Sequence, residues 1–270
     1  MSYATILVCV DLSGAAPARI RLAAGLTPRF EAILTGAAAR KVPAPVLVSD
    51  ISDAQLQEER NREVVRAELE CARDVFVRNA EGAFDTEWRA THATPLTHLV
   101  AEARAADLVV VGQEGEGAED RGTLGVASGP VLMEAGRPVL VVPLEVEALR
   151  AARIVVAWKD TVETRRAVSG ALPFIRRADQ VFVAGVGEGA HAEGAEQVAA
   201  HLARHGAAVT THLIQDRKGP AEEILDFARR QDADLIVMGA YGHSRMREWA
   251  FGGVTRDLLR RSPVCCLMSH

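Results

Sequence analysis

The chain has 270 residues, 49% of them hydrophobic and 25% charged, the balance of a folded globular chain and not of a disordered or fibrous one. Lys and Arg number 31 against 36 Asp and Glu, and the formal net charge of −5 excludes the basic footprint of a nucleic-acid binder and disfavours an anionic membrane as partner. The N-terminal apolar run, Ile6 to Val10, is too short for a signal-peptide core or a membrane span, so a cytoplasmic protein is expected.

The elements follow in chain order. ATILVCVDLS, from Ala4, opens with a short apolar strand. Asp53 to Arg78 is charged and periodic, with Glu58, Glu59, Arg60, Arg62 and Glu63, which predicts a long solvated helix with i,i+4 pairs. Ala105 to Val142 reads as strand, glycine loop, helix and the strand Val139 to Val142. Pro143 to Ala151 links two halves and carries no strong turn signal, so closely packed halves are expected. The second half then alternates strongly: strands at Ile154 to Trp158, Val181 to Val186, Ala207 to Ile214, Leu235 to Met238 and Val264 to Met268. Between them lie helical stretches at Thr164 to Ile175, Ala195 to Arg204, Pro220 to Arg230 and Thr255 to Arg261. Several strands are apolar at every position, as strands covered on both faces must be. The expected fold is α/β, with parallel sheets and helices on both faces.

The chain repeats itself. Asp107 matches Asp234, Gly112 matches Gly239, Gly115 matches Gly242 and Gly125 matches Gly252, each pair 127 residues apart. ATILVCVDLS corresponds to ARIVVAWKDT at Ala152. A period this long marks a duplicated domain, and the expected units are 1–146 and 152–270.

Each unit carries G-x-x-G-x9-G, in the second Gly239, Gly242 and Gly252. The first glycine follows a strand and the third precedes a helix. Glycine lets backbone approach a ligand closely. The helix start adds unpaired N–H groups and a positive dipole end, together an anion site at the carboxyl end of a parallel sheet. Thr255 can add a hydroxyl.

VMGAYGHSR followed by FGGVTRDLLRRSPV is the most specific part of a pattern that resembles the universal stress protein family, as two tandem copies across the chain. The resemblance implies two five-stranded parallel-sheet units of strand order 3-2-1-4-5, of the adenine-nucleotide alpha-hydrolase-like kind. It also implies pairing through the last strand of each unit, here Val139 to Val142 with Val264 to Met268, an intramolecular pseudo-dimer; a homodimer is a further option. Some members bind ATP or a related adenine nucleotide and others do not. In binders the glycines and the hydroxyls after the third glycine hold phosphates, and an Asp ending the first strand contacts the nucleoside. Carried onto the second unit, that set is Lys159, Asp160, Val186, Met238, Gly239, Gly242, His243, Gly252, Gly253, Val254 and Thr255. The weaker first-unit equivalents are Asp11, Gly112, Gly115, Gly125 and Ser128.

Both units depart from the pattern. Val126 and Gly253 stand where the family prefers Ser or Thr, and Lys159 replaces the first-strand Asp. Charge separates the units. From Gly112 to Ser128, Glu114, Glu116, Glu119 and Asp120 outweigh Arg121, leaving −3; from Gly239 to Thr255, Arg245 and Arg247 outweigh Glu248, leaving +1. Unit charges about 4 Å apart in water interact by roughly 1 kcal/mol, so a triphosphate is expected in the second unit.

Rival chemistries are weaker. Gly185, Gly187 and Ala190, with Asp216, imitate a dinucleotide fingerprint but sit on the second strand of their unit, where a glycine-rich surface turn is the better reading. His201 and His205 read as exposed and not as metal ligands, the four cysteines as free thiols, and Trp158 and Trp249 as packing residues; Tyr241 could cover a ligand or cap the interface between halves. Two functions stay open: a stress-response protein that binds ATP or a similar nucleotide, with Mg2+, and signals through unknown protein partners; or a scaffold that acts by protein contacts alone. An ATP hydrolase would have Asp160 as its obvious carboxylate.

Overall fold

The computed structural model of the chain describes residues 2–46, 51–114, 122–187, 193–242 and 253–270. In the first half the elements are β1 (Thr5–Cys9), α1 (Ala16–Phe30), β2 (Ile33–Ala39), α2 (Ile51–Asn79), β3 (Asp85–Thr91), α3 (Pro95–Glu102), β4 (Leu108–Gly112), α4 (Ser128–Glu134) and β5 (Val139–Val142). The second half gives β6 (Arg153–Ala157), α5 (Val162–Ile175), β7 (Gln180–Val186), α6 (Ala195–Arg204), β8 (Val209–Ile214), α7 (Pro220–Arg230), β9 (Leu235–Gly239), α8 (Val254–Arg261) and β10 (Cys265–Ser269).

The ten strands form one sheet in the order β3-β2-β1-β4-β5-β10-β9-β6-β7-β8, so each half carries the order 3-2-1-4-5. All pairings within a half are parallel. The two halves join where β5 and β10 pair antiparallel, with Cys266 opposite Val141 and Met268 opposite Val139. The halves are in register with each other: Ile6 pairs Leu108 on β1–β4 as Ile154 pairs Leu235 on β6–β9.

The sheet divides two layers of core. One face packs α1, α2, α5 and α6, through Ile20, Phe76, Phe174 and Leu202 among others. The opposite face packs α3, α4, α7 and α8, through Leu99, Leu132, Phe227 and Leu258. Cys265 belongs to the first layer and Cys266 to the second, as strand alternation requires. The predicted long helix is α2, with Val65, Leu69, Ala72 and Phe76 as its buried side. Its first helical residue and that of α8 lie within a few residues of the sequence-based bounds, the usual scatter at helix ends.

Contacts beyond the β5–β10 seam lock the halves. Tyr3, Phe30 and Phe174 meet edge to face with ring centroids 4.9–5.4 Å apart. Gln113 Nε2 donates to the Ser262 carbonyl at 2.8 Å, and the Glu114 N–H to the Leu259 carbonyl at 3.1 Å. These contacts give the close packing of the halves that the linker led one to expect. No helix of the described residues is long and apolar enough to cross a membrane.

Candidate ligand cleft

β6 is the strand at which the second half reverses direction across its sheet: β7 lies on one side and β9 on the other. The helix after β6 goes to one face and the helix after β9 to the other. A crevice opens outside the carboxyl ends of strands at such a point. Here it is a cleft of about 580 Å³.

Its apolar lining comes from Ala184 and Val186 of β7, Met238 of β9, and Pro220 and Ile224 of α7, with Trp158 at the end of β6. Trp158 is nearly buried and fixed, its Nε1 donating to the Glu193 carbonyl at 2.8 Å. Its lining also includes Lys159, Thr161, Thr164, Gly239, Gly242 and Thr255, which bring polar groups and close backbone.

Two helix starts contribute to the cleft. Thr161 caps α5, its Oγ1 accepting from the Thr164 N–H at 3.2 Å. The first turn of α5 abuts β9 so closely that a Cβ on Gly239 would lie 2.5 Å from the Thr164 nitrogen, so only glycine fits there. Gly242 is less constrained, its nearest would-be neighbour being Glu163 Oε2 at 3.4 Å. α8 starts at Val254 behind Gly253, which supplies no side-chain cap. A helix start carries first-turn N–H groups and a positive dipole end, which favour an anion. Thr255 is buried, and its Oγ1 accepts from the Tyr241 N–H at 3.4 Å. Tyr241 holds a left-handed φ of 55°. Exposed Lys159 adds positive charge, while buried Glu163 and exposed Asp216 add negative charge. Asp216 Oδ1 accepts from the Gly219 N–H at 2.9 Å.

Of the second-half residues picked from sequence, the cleft gathers Lys159, Val186, Met238, Gly239, Gly242, Val254 and Thr255. Gly253 stands one residue before the lining, as the cap of α8. Asp160 is turned away: its carboxylate accepts from Arg165 Nε at 3.0 Å outside the cleft. His243 and Gly252 lie outside the described residues, as do Gly115 and the charges Glu116, Glu119, Asp120, Arg121, Arg245, Arg247 and Glu248.

The first-half set is arranged differently. Asp11 is buried against Arg19, with Nη2 to Oδ2 at 2.8 Å, and also accepts from the Ser13 hydroxyl at 2.6 Å. A Cβ on Gly112 would lie 2.6 Å from Arg19 Nη1. Asp11 and Gly112 therefore surround a guanidinium. Gly125 precedes α4, and Ser128, its first residue, is fully buried.

Sequence reading missed Thr161, Thr164, Ile224 and Pro220, and it set aside Gly187, Asp216 and Trp158, all of which line the cleft. The available signal was position: these residues cluster just past β6, β7 and β8 and in the first turns of α5 and α7. His201 and His205 are exposed, their rings 4.7 Å apart, and among the described residues no three His, Cys, Asp or Glu side chains group to hold a metal.

The likeness of the whole fold to solved structures is extensive. A universal stress protein from Archaeoglobus fulgidus DSM 4304 matches with a TM-score of 0.67 and 18% identity, over 99% of this chain and 96% of that one. A Pseudomonas aeruginosa PAO1 protein described as functionally unknown matches with 0.53 and 17%, over 98% and 92%. A putative universal stress protein from Pseudomonas aeruginosa UCBPP-PA14 matches with 0.50 and 16%, over 98% and 92%. No curated protein matches. The universal stress protein family matches twice, over residues 2–143 and 151–270. Two matches, two copies of the 3-2-1-4-5 sheet and a glycine loop after the fourth strand of each make this chain a tandem member of the universal stress protein family.

Proposed function

We propose that the second half binds an adenine nucleotide in the β6–β9 cleft and that the protein reports its occupancy through contacts with protein partners. The observation that carries this reading is that a single cleft is lined both by apolar side chains and by groups suited to an anion. Val186, Met238 and Ile224 in its lining have the character of a site for a flat heterocycle. The same cleft offers Lys159, the Thr255 hydroxyl and the start of α8, groups that favour phosphate. Mg2+ would accompany a triphosphate as a counter-ion there. Hydrolysis is not part of the reading, because Asp160 is engaged by Arg165 outside the cleft.

Calorimetric titration of the intact chain with ATP, AMP and GTP, with and without Mg2+, tests it. Saturable binding of an adenine nucleotide is expected. Val186→Trp, which places a large ring in the cleft lining, should weaken it at least about tenfold, or ~1.4 kcal/mol. Wild-type protein that shows no saturable binding would overturn the nucleotide reading and favour a scaffold acting by protein contacts alone.

A further inference from the structure

The two halves superpose by number as well as by fold. Cys9, Asp11 and Arg19 correspond to Ala157, Lys159 and Ala167, each 148 residues on, and Gly112 corresponds to Gly239, 127 on. The buried positions of α1 and α5 share that offset: Ala16, Arg19, Ile20 and Ala23 match Thr164, Ala167, Val168 and Ala171. In the first half the Arg19 guanidinium is held by three groups. Nε donates to the Cys9 carbonyl at 3.0 Å, Nη2 to Asp11 at 2.8 Å, and Nη1 rests on Gly112. The counterparts of those three groups, Ala157, Lys159 and Gly239, all line the open cleft of the second half. There Ala167 has nothing to insert, and Asp11 has become a lysine.

We propose that Arg19 is a built-in occupant of the first half's ligand site, an internal cation that replaces a phosphorylated nucleoside, so that the chain carries one working site and one sealed one. The Arg19 side chain is 4% exposed and Asp11 7%, so the guanidinium is a fixed part of the interior, and a charge so placed must be paired to be stable. Ser128, the counterpart of Thr255, is buried as Thr255 is, but its hydroxyl lacks a hydrogen-bond partner among the described residues, whereas Thr255 Oγ1 accepts from the Tyr241 N–H. Gly112 is also explained, since any side chain there would displace Arg19. The proposal rests on the nucleotide reading only for the identity of the ligand.

The test is amide NMR of the deuterated intact chain titrated with ATP, comparing wild type with Asp11→Asn/Arg19→Ala, which removes the cation without stranding a buried carboxylate. Wild type should shift at second-half amides such as Gly239 and Gly242 and not at Gly112. The double variant should gain saturable shifts at Gly112, Gly125 and Ser128. Circular dichroism and the unperturbed β-sheet amides establish that it folds. Shifts at Gly112 in wild type would overturn the seal, as would a folded double variant with none. The readouts are separable: second-half silence in wild type counts against the nucleotide reading, whereas the seal is decided by the first-half amides, in wild type and in the double variant.

Discussion

The Tyr3 hydroxyl donates to the Gly170 carbonyl at 2.6 Å, joining residues 167 apart in the chain and therefore the two halves. Tyr3 lies two residues before β1 and Gly170 on α5, and burial drives the phenol's ionisation well above the ordinary tyrosine range. Tyr3→Phe keeps the ring contacts with Phe30 and Phe174 and deletes only this bond. The expected loss is about 1 kcal/mol, the net contribution of one hydrogen bond. Denaturant unfolding should show a lower midpoint with an unchanged slope.

Gly239 and Gly242 should respond oppositely to alanine. At Gly239 the new Cβ would meet backbone of α5 at 2.5 Å, so helix and strand must separate. A loss of about 2 kcal/mol or more is expected, in line with overpacked cores. At Gly242 the nearest atom is 3.4 Å away on a side chain, and stability should change by less than ~0.5 kcal/mol, as at ordinary surface positions. Ligand affinity at Gly242→Ala should nevertheless fall, since the methyl enters the cleft. Paired thermal melts and titrations separate the two effects.

Arg19→Met should be among the most damaging single changes in the first half. It retains much of the buried stem but leaves the Asp11 carboxylate, 7% exposed, without its cation. Breaking one partner of a buried pair costs about 3–5 kcal/mol. Asp11→Asn added to Arg19→Met should recover part of that loss, because the stranded charge is gone. A double-mutant cycle by chemical denaturation would measure the coupling, and additive losses would contradict it.

The thiols divide by exposure. Cys71 is exposed, while Cys9, Cys265 and Cys266 are buried. Burial pushes Cys9 and Cys266 up to about 12 from 9.0, so neither is a thiolate near neutrality. A thiol reagent should modify one cysteine per native chain at pH 8 and all four after denaturation. The same shifts set a pH dependence. The folded state keeps these protons longer than the unfolded state, so the stability they confer is complete below pH 9.0 and is lost as pH rises toward about 12. Each thiol contributes up to about tenfold in the folding constant per pH unit across that window. Melts between pH 8 and 11 should show this loss, and Cys266→Ala should reduce it.

Much of this architecture is legible in the amino-acid order because it rests on short-range rules. Runs such as Val109–Val111 and Leu235–Val237 are apolar at every position, which only a strand covered on both faces tolerates. The repeat of Gly112 and Gly239, each directly ending a strand, identifies the switch-point loops. The seam of β5 with β10 followed from the family resemblance. The cleft itself was legible in part: Gly239, Gly242 and Thr255 belong to a local motif, so proximity in sequence delivers proximity in space.

What sequence alone decided, then, is the duplicated α/β fold and the place of the loops. Tertiary structure decided what lies beside Gly112 and beside Gly239: the Arg19 guanidinium at the first and an open cleft at the second. Arg19, eight residues past Asp11, carries no mark in sequence of where its guanidinium goes, because a long side chain on a helix is normally solvated. Only the packing of α1 against β1 and β4 turns it inward onto Cys9, Asp11 and Gly112. Trp158, Asp216 and Ile224 likewise come from three separate segments and meet only because parallel strands bring their carboxyl ends to one edge. Backbone pattern is set by neighbours along the chain, whereas the filling of a cavity is set by neighbours across it.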